Sequence, residues 1–134
     1  MKFEKLNVNP KGLKTGDCVV RAISYATNKE WDEVYRDLCV LGVSMKRMPN
    51  EKQVYEKYLE KCGWVKHKQP KNICNTKYTV KDFLDEYMPA GSIFVIKVAN
   101  HLTCARYDGM EEYSLIDTWD CSFKCVGNYW TKGE

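Results

Sequence analysis

Apolar residues change their spacing once along this chain, and that change restricts the fold more than any other feature. From Asp17 to Met88 they recur at helical intervals; after Gly91 they crowd into short β-branched and aromatic runs. Val19, Val20, Ala22, Ile23 and Ala26 predict a short, strongly apolar helix with Asp17 as its N-cap, which puts Cys18 at the first helical position. Trp31, Val34, Tyr35, Leu38 and Cys39 form the stripe of a second helix, capped by Asn28 and ended by Gly42. A third is expected from about Asn50 to Lys61, with Val54, Tyr58, Leu59 and Cys62 on one face and Gly63 as its stop. A fourth, short helix is signalled by Thr79 as cap, Asp82 in the capping-box position and Tyr78 stapled onto Phe83.

Beyond Gly91 the run Ile93, Phe94, Val95, Ile96, Val98 reads as a strand. Leu102 to Tyr107 follows, then a hairpin turn at Asp108-Gly109, a return over Tyr113 to Thr118, and a last strand from about Ser122 to Tyr129. Met1 to Gly16 is expected as an extended lead-in, and Trp64 to Asn75 as a basic loop with at most one short strand. Helices first and strands afterwards imply an α+β domain, its N-terminal helices packed on a C-terminal antiparallel sheet. The 134 residues fit one domain, 1–134, with a helical part over about 17–88 and a sheet part over about 92–130.

A net charge of +3, with lysines scattered among acidic residues, does not suggest nucleic-acid binding. The one basic stretch, Lys66, His67, Lys68 and Lys71, reads as a solvated loop. No apolar run approaches the roughly 20 residues of a membrane span, and the polar, basic start has no signal-peptide core, so a cytoplasmic protein is expected. Seven cysteines in odd number and irregular spacing then read as small hydrophobes in a reducing compartment. Cys121 and Cys125 lack the further close ligands a zinc site requires, so neither a metal nor another cofactor is expected.

Cys18 stands apart from the other thiols. At a helix start it meets the positive end of the helix dipole and unsatisfied N–H groups, which favour thiolate and can lower a cysteine from about 8.5 to well below 7. The same N–H groups suit a developing oxyanion. Of the two histidines, His67 lies in the basic stretch, whereas His101 falls between two strands where a side chain can face a cleft. Asp117 follows across the hairpin, placed to accept the ring Nδ1–H and leave Nε2 for the thiol proton. Trp119 is placed to cover the pair. Arg21, one turn into an apolar helix, needs a carboxylate or carbonyl partner if it is buried.

A cysteine opening an N-terminal helix, then a histidine on a strand, then Asp117-Thr118-Trp119 resembles the papain-like cysteine protease superfamily, whose papain-type members carry Asn-Ser-Trp at the last position. Gly16-Asp17-Cys18-Val19-Val20-Arg21-Ala22 is similar to the nucleophile segment of OTU-type deubiquitinases. The resemblance spans the first helix and about Ile93 to Trp130, roughly half the chain, and it implies a papain-like fold. It further implies cleavage of a peptide or isopeptide bond in a protein or peptide substrate, with Cys18 as nucleophile, His101 as base and Asp117 as orienter. Compact size suits a bacterial or phage regulatory protease. Two departures stand out: the papain-type glutamine before the cysteine is missing, its offset falling on Gly12, and the OTU-type aspartate is Thr15. Asn9, or backbone N–H groups up to Asp17 and Cys18, are the expected oxyanion donors instead. A catalytically inactive binding module and an acyltransferase or transglutaminase-like enzyme remain the alternatives.

Overall fold

The computed structural model describes residues 1–109 and 112–133. Four helices, α1 (Cys18–Thr27), α2 (Trp31–Met45), α3 (Lys52–Lys61) and α4 (Val80–Tyr87), accompany six strands. The strands are β1 (Lys2–Lys5), β2 (Trp64–His67), β3 (Ile93–Val98), β4 (His101–Arg106), β5 (Ser114–Asp117) and β6 (Tyr129–Lys132). They form one sheet in the order β1-β5-β4-β3-β6-β2.

The α+β class follows, but the sheet is mixed rather than antiparallel. The expected lead-in contains β1, which runs parallel to β5 with Phe3 opposite Leu115. Lys-Phe-Glu-Lys carries a single apolar residue, so its strand character comes from the free edge of β5 and not from its own periodicity. At the other edge, Trp64–His67 pairs antiparallel with β6. His67, expected in solvent, stacks on Tyr129 with ring centroids 4.6 Å apart, and its Nε2 meets Thr131 Oγ1 at 2.7 Å. The last strand starts at Tyr129, later than expected, because 121–128 is an irregular segment under α4 whose backbone bonds tie it to the α4 start (Val80 N to Lys124 O, 2.9 Å).

β3 is apolar on both faces, with Lys97 its one charged residue, because both faces are covered. Val95 joins Leu102, Cys104, Ile116 and Trp130 in a core with α1, α2 and α3, whereas Phe94, Ile96 and Val98 join Ala105, Leu115 and Val126 in a second core with α4. Full burial of a large apolar side chain stabilises by about 1.5–3 kcal/mol, so these two layers hold the sheet that carries the site.

Several helix ends differ from expectation. Asn28 closes α1 in a left-handed conformation (φ 58°) instead of opening α2, and Glu30 precedes α2. Gly42 lies inside α2, which runs on to Met45; a Cβ there would come within 2.7 Å of the Arg47 carbonyl oxygen, so the residue is small to admit the returning chain. Thr79 caps α4 as expected, its side chain accepting from Asp82 N at 3.2 Å. Met110 and Glu111, which follow the expected Asp108-Gly109 turn, lie outside the described residues.

Candidate active site

The apolar face of α1 packs along β4, which brings the first residue of the helix to the start of that strand. There the Cys18 side chain meets the His101 ring and the Leu102 backbone. A two-residue turn, Ala99-Asn100, joins β3 to β4; Asn100 is left-handed (φ 55°), and Val98 pairs with His101 directly after it. The turn therefore delivers His101 at the strand's first position, at the rim of the sheet.

Asp117 reaches the ring diagonally. Cys104 lies opposite Ile116, so Asp117 falls beside Thr103, two residues from His101 and on the same face. From that diagonal position Asp117 Oδ2 contacts His101 Nε2 at 2.6 Å. The ring is thus turned the other way from the sequence expectation: Nε2 faces the carboxylate and Nδ1 is left for Cys18. The far nitrogen of the imidazole is the one long enough to span the diagonal.

The electrostatics favour a charged pair. Burial opposes ionisation of the Cys18 thiol, but the His101 ring, the Leu102 backbone and the nearby Arg21 charge together lower it below its ordinary value. Burial also opposes charge on His101; bonds to Asp117, Cys121 and Cys18 outweigh this and lift the imidazole to about 11. Asp117 is held below the usual carboxylate range: its burial is overcome by His101 and Thr103, and by the Thr118 N–H bond to its Oδ1 at 2.7 Å. Both ring and carboxylate are nearly enclosed, at 8% and 2% exposure. Trp119 lies against the ring, centroids 4.9 Å apart, and is itself 39% exposed, so it covers one side of the pair from solvent.

Asp17 occupies the cap position of α1 without a side-chain cap bond. Its carboxylate binds the Arg21 guanidinium, and its Oδ2 also accepts from Trp31 Nε1 at 3.0 Å and Asn9 Nδ2 at 3.2 Å. Arg21 in turn reaches Asp117 Oδ1 at 3.8 Å. The buried arginine thus has carboxylates on both sides, and a chain of charge runs from beneath the helix start to the back of the His–Asp pair. The groups expected as oxyanion donors, Asn9 and Asp17, are engaged in this network. The Asn9 amide is engaged with Asp17 through Nδ2 and with the N–H groups of Lys11 (3.0 Å) and Leu13 (3.4 Å) through Oδ1. The Asp17 N–H bonds Thr15 O at 2.8 Å.

Sequence reasoning missed two contributors. Cys121, taken as a packing thiol, is fully buried with Sγ 3.9 Å from Asp117 Oδ2. With His101 and Asp117 it offers three potential metal-ligand atoms within 4.8 Å of one another. The 2.6 Å Nε2–Oδ2 contact is that of a charge-assisted hydrogen bond, and a metal would have to replace it. The second contributor is α3, which brings Lys52 and Tyr55 to the cleft in front of Cys18, a space of about 320 Å³. Nothing in the sequence links these residues to Cys18 or His101. Comparison with known proteins finds no matching family model, no matching curated protein and no matching solved structure.

Proposed function

We propose that this chain is a papain-like cysteine hydrolase that cleaves a peptide or isopeptide bond through a thioester on Cys18. The observation that carries the reading is the convergence, at one cleft, of a helix-opening thiol and an imidazole whose far nitrogen bonds a buried carboxylate at 2.6 Å. A lowered thiol beside a raised imidazole favours the thiolate–imidazolium pair.

The Cys18 sulfur attacks the substrate carbonyl carbon, and the π electron pair moves onto oxygen. The backbone N–H of Cys18, at the open end of α1, points the helix dipole toward that oxyanion. His101 gives its Nδ1 proton to the leaving amine as the C–N bond breaks, a step in which a positioned acid contributes on the order of 10²–10⁴ in rate. Acylation removes the thiolate that helps hold this proton, so the ring becomes a better acid at the point where donation is needed. Water then yields a proton to the neutral ring and attacks the thioester; the acid product leaves and the ion pair is restored. Asp117 fixes the ring orientation throughout, and Trp119 limits water access to the bond between them.

The test is the rate of Cys18 alkylation by iodoacetamide against pH, read on the Cys18 peptide by mass spectrometry because Cys74 and Cys125 are also exposed. Selective reaction with an inflection well below 8.5, lost in His101→Ala, is the expected result. Alkylation no faster than a model thiol, or indifference to His101→Ala, overturns the proposal and leaves a binding module.

A further inference from the structure

The residues lining the cleft in front of Cys18 carry more positive than negative charge. Lys52 and Lys97 line it, together with Asn50, Asn100 and Tyr55, and no carboxylate does. Lys97 is half-buried, has no carboxylate within ion-pair distance among the described residues, and turns its ammonium to its neighbour's carbonyl, Val98 O. Lys52 holds Asn128 Oδ1 at 2.7 Å and has Glu56 only at 3.8 Å. Tyr55 is 2% exposed, and its hydroxyl, itself closed off from solvent, has no hydrogen-bond partner among the described residues. A half-buried ammonium held by one carbonyl and the nearby Cys18 sulfur is a costly arrangement that an anionic ligand would ease. Burial and the neighbouring Lys52 charge push the Lys97 amine down, and an incoming anion would relieve that strain.

We infer that the cleft selects acyl substrates bearing a carboxylate close to the scissile bond, held by Lys52 and Lys97. The inference rests on the cysteine-hydrolase reading and names its substrate class. Carboxylate is the anion a peptide substrate carries, either as an acidic side chain or as a free C-terminus. No arginine lines the cleft, so the planar two-pronged recognition typical of buried phosphate sites is missing, and two point charges remain.

Iodoacetate and iodoacetamide are near-isosteres that differ in charge, and both alkylate the same sulfur. With rates normalised to a small neutral thiol, wild type is expected to prefer iodoacetate about tenfold at low salt, roughly threefold for each lysine, and to lose most of that preference at 1 M salt. Lys52→Gln and Lys97→Met should each lower the ratio about threefold. Protection of Cys18 from iodoacetamide identifies the source of the carboxylate. N-acetyl-glutamate amide protecting alone points to an acidic side chain; N-acetyl-glutamine with a free terminus protecting alone points to a chain end. N-acetyl-glutamine amide should not protect. Fast iodoacetamide reaction without iodoacetate preference, a preference unchanged in both lysine variants, or protection by neither carboxylate overturns this inference and leaves the hydrolase reading standing. Slow reaction with both reagents overturns the hydrolase reading itself.

Discussion

Replacing Arg21 by methionine tests whether the buried charge chain holds the site together. Methionine keeps the aliphatic packing of the side chain and removes only the guanidinium. Arg21, Asp17 and Asp117 are all buried, at 6%, 5% and 2% exposure, so water contributes little to their solvation. Removing one partner of a buried pair typically costs about 3–5 kcal/mol. Here Asp17 keeps its bonds from Trp31 and Asn9, and Asp117 keeps those from His101 and Thr118, which places the expected loss at the lower end, about 3 kcal/mol. An unfolding entropy of about 2.1 cal/mol/K per residue over 134 residues amounts to about 0.28 kcal/mol/K, so the melting temperature should fall by about 10 °C. Arg21→Lys keeps the charge but not the fork that faces two carboxylates, and should lose about half as much. The difference from wild type should narrow as pH falls through the lowered Asp117 value, where that carboxylate takes up its proton and needs no cation. Thermal unfolding followed by circular dichroism at pH 7 and at a series of lower pH values measures all of this. A methionine variant melting within 2 °C of wild type at pH 7 would refute the argument that these carboxylates depend on Arg21.

Asp117→Asn should remove the bond that holds the His101 proton, so the upper inflection of the alkylation profile should move well below about 11 and the rate at pH 6 should fall at least tenfold; an unchanged upper limb would show that Asp117 does not control the ring. In a Cys18→Ala background the pH dependence of stability isolates the His–Asp pair. The raised imidazole contributes stability that is fully present below about 6.5 and is lost as pH rises through its folded value, which without Cys18 lies below about 11, while the depressed Asp117 contributes stability present above about 3.9 and lost as pH falls through its lowered folded value. Melting temperature should therefore peak between about pH 4 and 6.5, and adding His101→Ala should flatten the alkaline decline; a decline of equal slope in both variants would assign it to other groups. Trp119→Ala should lower the upper alkylation inflection by less than Asp117→Asn does, with a smaller loss of melting temperature than Arg21→Met, because the indole covers one side of the ring and is half in solvent. A profile identical to wild type would show that the cover is without effect.

Local order was legible in the sequence wherever one element carries its own signal. The apolar faces of α1, α2 and α3 and the Thr79 cap of α4 announce themselves through helical spacing and capping chemistry, and β3 through a run of branched and aromatic residues. Cys18 at a helix start, His101 at a strand start and Asp117 ahead of Trp119 could be singled out for the same reason, since each is a position defined by its neighbours in the chain. What remained hidden depends on partners distant in sequence. β1 is a strand because β5 offers an edge, and the one short strand allowed within 64–75 forms at Trp64–His67 because β6 does. Asn28 ends one helix instead of starting the next because the left-handed position it fills is decided by how α1 stops. The diagonal register between β4 and β5 chose Nε2 for Asp117, and the Asp17 carboxylate engaged the Asn9 amide that the sequence offered to an oxyanion. Lys52, Tyr55 and Lys97 share a cleft with Cys18 because α3 and β3 pack around α1. Hydrophobic periodicity records which face of an element is buried, but carries no information about which distant polar side chains meet at its end; that is decided by register and packing.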